Sequence, residues 1–437
     1  MAGERREIGR RATAGEASAA REQIGHARPA LRRIWPYLLA LGPGLLAASA
    51  GNDAGGIATY ASAGADYGYD LLWAMVIITL CVGVVQEMSA RLGAVTGKGF
   101  SDLVRENFSL RVTALILLTL FLANFGIIVS EFVGIAAAAE LFGVSRYLAV
   151  PAAAMLIWLL ITRGSYERVE RIFLTLTLAF LAYVGAAFLA RPDWGQVLER
   201  TLRPQLYADP GYLHLLIALI GTTISPYMQL YVQSSVVEKG VTPANYRYTR
   251  FDVVVGTIAA GLVSAFIIIA TAATLHPRGV RIETAADAAL ALEPVAGALA
   301  QELFGLGLLG ASLLAAGVLP LTTTYMLSEA LGFERGVSRS WREAPAFMGL
   351  FTALLALGAL LALIPGLPLI RVLVGVYVLN GALLPVELFA ILRLAGDREL
   401  MGPHANRGWY NLLAWAIALA VSLLSLALIA NTVLGWL

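Results

Sequence analysis

The sequence predicts an all-α polytopic membrane protein, built as an inverted repeat of five plus five spans with an eleventh span appended. Three observations predict it. Of 437 residues, 59% are apolar and only 14% are charged, whereas soluble domains run at roughly 45–50% and about 25%. The apolar residues gather into eleven runs, each suited to crossing ~30 Å of hydrocarbon, and the mean hydropathy is +0.75. The first and the sixth runs are both interrupted midway. Five is an odd number, so equivalent spans five apart cross the membrane in opposite directions, which is the pattern of an inverted repeat.

In order along the chain, residues 1–34 carry eight arginines and four glutamates without an apolar core. A signal peptide needs such a core and transit peptides avoid acids, so this segment reads as a flexible cytosolic tail. Residues 35–437 then form one eleven-span domain. The first repeat, about 36–190, holds runs 36–64 (interrupted), 69–94, 112–140, 146–161 and 172–190. The second, about 212–392, holds runs 212–237 (interrupted), 253–275, 298–330, 345–364 and 369–392; run 409–435 stands alone. Breakers separate the runs: Gly143 and Pro151, Arg191-Pro192, His276-Pro277, Pro365 to Pro368, and Gly402-Pro403. With the N-terminus inside, 24 of the 31 lysines and arginines fall on the cytosolic side, as the positive-inside rule requires. The expected location is the plasma (inner) membrane of a prokaryote, multi-pass, with the C-terminus extracytoplasmic.

Other classes lack their signatures. A net charge of +2 does not call for nucleic acid, and Cys81, the only cysteine, excludes intramolecular disulfides and cysteine clusters. The four histidines, His26, His214, His276 and His404, share no ligand spacing. Gly97-Lys98-Gly99 lacks the glycine spacing and hydroxyl of a phosphate loop. No enzyme, no cofactor and no obligatory protein partner is expected, only the lipid bilayer and a transported ion.

The two interruptions carry the chemistry. The first reads Gly51-Asn52-Asp53-Ala54-Gly55-Gly56, placing a carboxylate among glycines at mid-membrane, a poor helix and an expensive place for charge. Its bland reading is a kink with Asp53 paired elsewhere, or a Gly51/Gly55 packing notch. The second reads Gly221-Thr222-Thr223-Ile224-Ser225-Pro226-Tyr227-Met228-Gln229. Pro226 removes a backbone donor, and Thr222, Thr223, Ser225, Tyr227 and Gln229 surround it with neutral oxygens. Alone this is an ordinary proline kink; paired with the first break it marks a midplane substrate site. A carboxylate, helix-end carbonyls and hydroxyls suit hard cations such as Mg²⁺, Ca²⁺ or Mn²⁺. Met228, on the cytosolic side of Pro226, is the nearest thioether, which argues against a site tuned to softer metals.

At these residues the chain resembles the Nramp family of divalent-metal transporters, which share the LeuT-type inverted repeat. The resemblance rests on Gly42-Pro43-Gly44 through Asp53-Ala54-Gly55-Gly56, then Ala63 to Tyr69, Leu71-Leu72-Trp73, Gln86, Ser89 to Gly93 and Thr96-Gly97-Lys98. It fades later, but the eleven-span plan covers nearly the whole membrane portion.

The departures are informative. Where the family has Asp-Pro-Gly-Asn, this chain has Asp53-Ala54-Gly55-Gly56, so Gly56 stands in place of an asparagine ligand. Where the family has Met-Pro-His, it has Ser225-Pro226-Tyr227, replacing a soft thioether by a hydroxyl and a histidine associated with proton movement by a tyrosine. In span 10 the family's polar metal position reads as apolar, with Asn380 nearby as a substitute. The pattern is similar to the divergent Nramp-related magnesium transporters. Carried over residue by residue, the resemblance implies Asp53 as the charged ligand, Ser225 at the lost methionine, and the backbone carbonyls of Ala50 and Thr222 at the breaks.

Glu131, mid-span 3, matches an acid on the family's proton route, but its aspartate partner is replaced by Ile128. Glu131 and Tyr227 are therefore expected in a supporting shell or a vestigial proton path, with Gly56, Thr223 and Gln229; a neutral structural role for Glu131 stays open. The expected function is Mg²⁺ import, with Mn²⁺ also carried, by alternating access and without proton coupling. The alternatives are a proton-coupled Mn²⁺/Fe²⁺ importer and a Na⁺-coupled organic-solute transporter of the same fold.

Overall fold

A computed structural model describes residues 52–162, 178–207, 209–334 and 341–434, and all regular structure among them is helical. The N-terminal tail, the first half of the first span with Ala50, and the first six residues of the fifth span lie outside the described residues. The principal helices are α1 (Ala54–Tyr67), α2 (Leu72–Thr96), α3 (Phe100–Asn107), α4 (Leu110–Leu141), α5 (Arg146–Thr162), α6 (Ala182–Leu189), α7 (Trp194–Leu202), α8 (Pro210–Thr223), α9 (Pro226–Glu238), α10 (Tyr246–Thr274), α11 (Ala300–Leu331), α12 (Pro345–Ala362), α13 (Leu369–Gly396) and α14 (Gly408–Leu434). Among the described residues, eight helical segments are long and apolar enough to cross a membrane, one of them α8 and α9 taken together, and α5 is a shorter apolar helix.

Local chemistry sets the ends. Asp53, extended at φ −72° and ψ −179°, caps α1 by accepting the Gly56 N–H at 2.8 Å. This satisfies one of the donors every helix start leaves unpaired. Proline opens both halves of the sixth span, Pro210 in α8 and Pro226 in α9, where its missing N–H removes nothing. Gly97 ends α2 at φ 65° and Gly332 ends α11 at φ 72°, a conformation that side chains with a Cβ resist.

The core is organised around α1 and α8. Ala54 through Ala65 of α1 are buried without interruption, and so are Leu215 through Thr223 of α8. Such all-round burial explains the small residues of α1, because helices in lipid gain from close backbone approach rather than from a hydrophobic drive between them. A Cβ at Gly64 would stand 2.3 Å from the Ile268 carbonyl oxygen of α10, and one at Gly221 would stand 2.1 Å from the Tyr377 carbonyl oxygen of α13. Leucines at 115, 118 and 122 of α4 and at 412, 419, 423 and 426 of α14 face outward, as a lipid-exposed perimeter requires. Helix α13 touches both interruptions and holds them in register.

Candidate cation site at the two helix breaks

The sixth span stops being helical at Ile224 (φ −110°, ψ 55°) and Ser225, and resumes at Pro226. The Ser225 hydroxyl folds back on the end of α8, donating to the Gly221 carbonyl at 2.9 Å and the Thr222 carbonyl at 3.2 Å. Asn380 of α13 braces the same turn, donating to the Gly221 carbonyl at 2.6 Å and to Ser225 Oγ at 3.1 Å. Gln229 reaches back one turn of α9 to the Ser225 carbonyl at 3.4 Å. Sequence-predicted residues Thr222, Ser225, Gln229 and Asn380 thus form one polar cluster, buried throughout.

Asp53, 1% exposed, faces this cluster from the start of α1. Its Oδ1 takes the Gly56 N–H, while Oδ2 accepts hydrogen bonds from the Tyr227 hydroxyl at 3.3 Å and from the Tyr377 hydroxyl. Tyr377, fully buried, was not among the residues singled out from the sequence. Its ring occupies the notch left by a missing side chain, since a Cβ at Gly55 would lie 2.0 Å from the Tyr377 ring. So the residue of span 10 that reaches the carboxylate is Tyr377, and Asn380, one turn on, serves the other break. The signal that could have found it is its place one helical turn from the polar Asn380 in a buried stripe.

Glu131 is also fully buried and lies beside the start of α1, where Oε2 accepts the Ala54 N–H at 3.5 Å. Ser130 Oγ donates to its other oxygen at 3.3 Å. A helix N-terminus favours an acid beside it, because its unpaired N–H groups carry partial positive charge. Thr223 Oγ1 pairs with the Tyr60 hydroxyl at 3.2 Å, joining the body of α1 to the end of α8. Ala50 lies outside the described residues.

Beside the breaks is a cavity of about 20 Å³, lined by Asn52, Tyr60, Gln86, Thr223, Met228 and Ser264 among others, room enough for one water. Asn52 accepts from Ser264 Oγ at 3.0 Å, and Gln86 Nε2 approaches Met228 Sδ at 3.9 Å. The thioether expected to stand apart on the far side of Pro226 therefore lines the space next to the residue preceding Asp53. The helical rise turns Met228 back toward α2, a consequence that linear order along the chain conceals.

Chemically, the described residues at the breaks gather the Asp53 carboxylate, a second acid in Glu131, the hydroxyls of Thr222, Thr223, Ser225, Tyr227 and Tyr377, and the amides of Gln229 and Asn380, with no imidazole or thiolate among them. Among the described residues no three of His, Cys, Asp and Glu cluster as a metal-binding group. Such a set suits an ion that keeps part of its water shell.

The sequence pattern of the Nramp family, described as natural resistance-associated macrophage protein-like, matches residues 44–431. The chain is 32% identical over 434 residues to the divalent metal cation transporter MntH of Ralstonia nicotianae, covering 92% of this chain and 93% of the relative. It is 32% identical over 412 residues to MntH 1 of Pseudomonas aeruginosa, covering 90% and 91%. Among solved structures, the Eremococcus coleocola manganese transporter superposes with a TM-score of 0.74 at 21% identity, over 92% of this chain and 88% of that one. The nucleobase-cation-symport-1 transporter Mhp1 gives a TM-score of 0.50 at 16% identity, over 89% and 92%. These likenesses show a LeuT-type fold.

Proposed function

The chain belongs to the Nramp family, a family of membrane transporters rather than enzymes, and from that premise we propose that it imports Mg²⁺, and Mn²⁺ as well, without proton coupling. In this reading residues 1–34 are a cytosolic tail, residues 35–437 form the transport domain in the inner membrane, and the N-terminus faces the cytosol. The curated relatives are named as divalent metal cation transporters, which supports the ion class. The finer assignment rests on one observation: the hydroxyls of Tyr227 and Tyr377, rather than a thioether or imidazole, contact the Asp53 carboxylate. Ligands of oxygen alone do not favour softer metals over abundant hard ones.

The same geometry supplies a cycle. An ionised carboxylate buried without a partner is costly by several kcal/mol. Two tyrosine hydroxyls and the Gly56 N–H satisfy Asp53 when no ion is bound. On ion arrival the hydroxyl protons rotate away and the carboxylate turns to the cation. The empty carrier can then reorient with Asp53 still ionised, so no proton has to replace the metal. This supports downhill uptake.

A second reading, proton-coupled Mn²⁺ transport, is favoured by Met228, whose sulfur lines the cavity beside Asn52. The two readings part in proteoliposomes carrying a trapped pH dye. The uniport reading expects Mg²⁺ and Mn²⁺ flux with no lumenal acidification. Acidification driven by Mn²⁺ with no Mg²⁺ flux would establish the second reading and overturn the first.

A further inference from the structure

Helix α13 carries a buried carboxylate that the site at the breaks does not use. Glu387 is 1% exposed, and neither of its side-chain oxygens has a hydrogen-bond partner among the described residues. It lies seven residues beyond Asn380, about 10 Å further along the helix. The seven-residue spacing keeps it on the same stripe as Asn380, with Leu384 between them, and all three are buried. The stripe runs from Tyr377, on the Asp53 carboxylate, toward the end of the helix that carries Arg393.

An acid in this position is difficult to explain as packing. A buried polar group is ordinarily satisfied, and an unpaired one is destabilising. Replacing it by leucine would remove that burden, so its presence points to a partner that is absent from this conformation. Two amides at the second break point the same way. Asn380 commits its nitrogen to the Gly221 carbonyl and Ser225 Oγ, both acceptors toward that nitrogen, which fixes the orientation of the amide and leaves Oδ1 without a partner. Gln229 commits its nitrogen to the Ser225 carbonyl and leaves Oε1 likewise. The leftover amide and carboxylate atoms of these three residues are all acceptors. Unsatisfied carboxylate and amide oxygens call for a cation or its bound waters, not for an anion or an apolar solute.

We propose that Glu387 is a second cation site, occupied by the divalent ion after it leaves Asp53 and reached past Asn380 Oδ1 and Gln229 Oε1. The proposal rests on the divalent-cation reading given above and adds a station on the release side of it. In the conformation described here the station is shut, with Leu384 packed between the two polar levels. Opening of the half of the molecule beyond Ser225 and Asn380 admits water and the ion together, and Glu387 then holds the ion while the first site empties. A carboxylate there lowers the barrier for a doubly charged ion crossing about 10 Å of otherwise apolar helix surface.

The test uses the full-length protein in nanodiscs and in liposomes, with ⁵⁴Mn²⁺ as the probe. Equilibrium dialysis of the wild type should reveal a tight and a weaker class of sites. Glu387→Gln, which changes one atom's chemistry and keeps the shape, should lose the weaker class and retain the tight one. Asp53→Ala should do the reverse. In liposomes, Glu387→Gln should lower the maximal rate about tenfold while leaving KM within about twofold. Glu387→Leu should melt at the same temperature as the wild type or higher, showing that lost function is not lost folding. Wild-type binding and flux with Glu387→Gln indistinguishable from the wild type in both would overturn the second site and leave the divalent reading standing. A wild type that neither binds nor carries Mn²⁺ or Mg²⁺ would overturn the divalent reading itself, and this inference with it.

Discussion

Tyr377 donates its hydroxyl proton to Oδ2 of Asp53, joining residues 324 positions apart and tying the last span of the second repeat to the break in the first. Both groups are buried, the ring seated against Gly55 and the carboxylate capping α1. The contact holds the charged ligand in place without a bound ion. Removing the hydroxyl with Tyr377→Phe leaves a buried carboxylate short of one donor, at a cost of about 1–3 kcal/mol. The ion-free protein should therefore melt at a lower temperature than the wild type. Excess Mg²⁺ should narrow that gap, because the ion replaces the missing donor. Thermal melts with and without Mg²⁺ check both parts.

Gly55 is the counterpart of that contact. Any Cβ there meets the Tyr377 ring at 2.0 Å, so Gly55→Ala must push the ring off Asp53 or part α1 from α13. Overpacking of this kind costs about 1–3 kcal/mol, and divalent flux should fall at least as far as in Tyr377→Phe. Gly83→Ala is the control. Its Cβ would meet only Thr257 Cγ2 at 3.7 Å, and transport assays should find it unchanged.

Ser225 sets the chemistry at the second break. In Ser225→Met the hydroxyl that closes on the Gly221 and Thr222 carbonyls is exchanged for a thioether. Sulfur favours the softer ion. Competition of Mg²⁺ against ⁵⁴Mn²⁺ uptake should show the variant turned toward Mn²⁺ by about 1 kcal/mol or more, about fivefold. An unchanged ratio would remove Ser225 from the selectivity argument.

A second polar node sits near the end of α2. Glu87 takes both Arg91 Nε and Nη2 at 3.2 Å, together with the hydroxyls of Tyr246 at 2.9 Å and Tyr410 at 2.5 Å. Arg91 donates onward to Asn406 at 2.5 Å and to the His404 carbonyl. This fastens α2, α10 and the start of α14 together. Glu87→Ala strands a guanidinium whose side chain is only 10% exposed, and breaking such a pair costs about 3–5 kcal/mol. Calorimetry should register the loss as a large drop in Tm, while Arg91→Met with Glu87→Leu recovers part of it.

Much of the architecture was legible because apolar runs and helices coincide in a membrane. Runs 112–140, 146–161 and 298–330 match Leu110–Leu141, Arg146–Thr162 and Ala300–Leu331 closely. Hydropathy reports the lipid, not the helix, so run 253–275 missed the polar first turns of a helix that begins at Tyr246. The amphipathic helices α3 and α7, lying between spans, carry no long apolar run and were not foreseen. At the site, Asp53, Ser225 and the broken backbone declared themselves by residue types that fit poorly in a span. Tyr377 did not. An aromatic residue in an apolar run looks like packing, and only the close approach permitted by Gly55 shows that its hydroxyl faces a charge. Met228 misled for a related reason: its order along the chain placed it beyond the break, while the turn of α9 brought its sulfur back to the cavity.

The most direct measurement is Mg²⁺ and Mn²⁺ flux into proteoliposomes for the wild type and Asp53→Ala. Saturable flux of both ions is expected in the wild type and none above protein-free vesicles in the variant, with equal reconstitution of the two. Undiminished divalent flux through Asp53→Ala would contradict the assignment of Asp53.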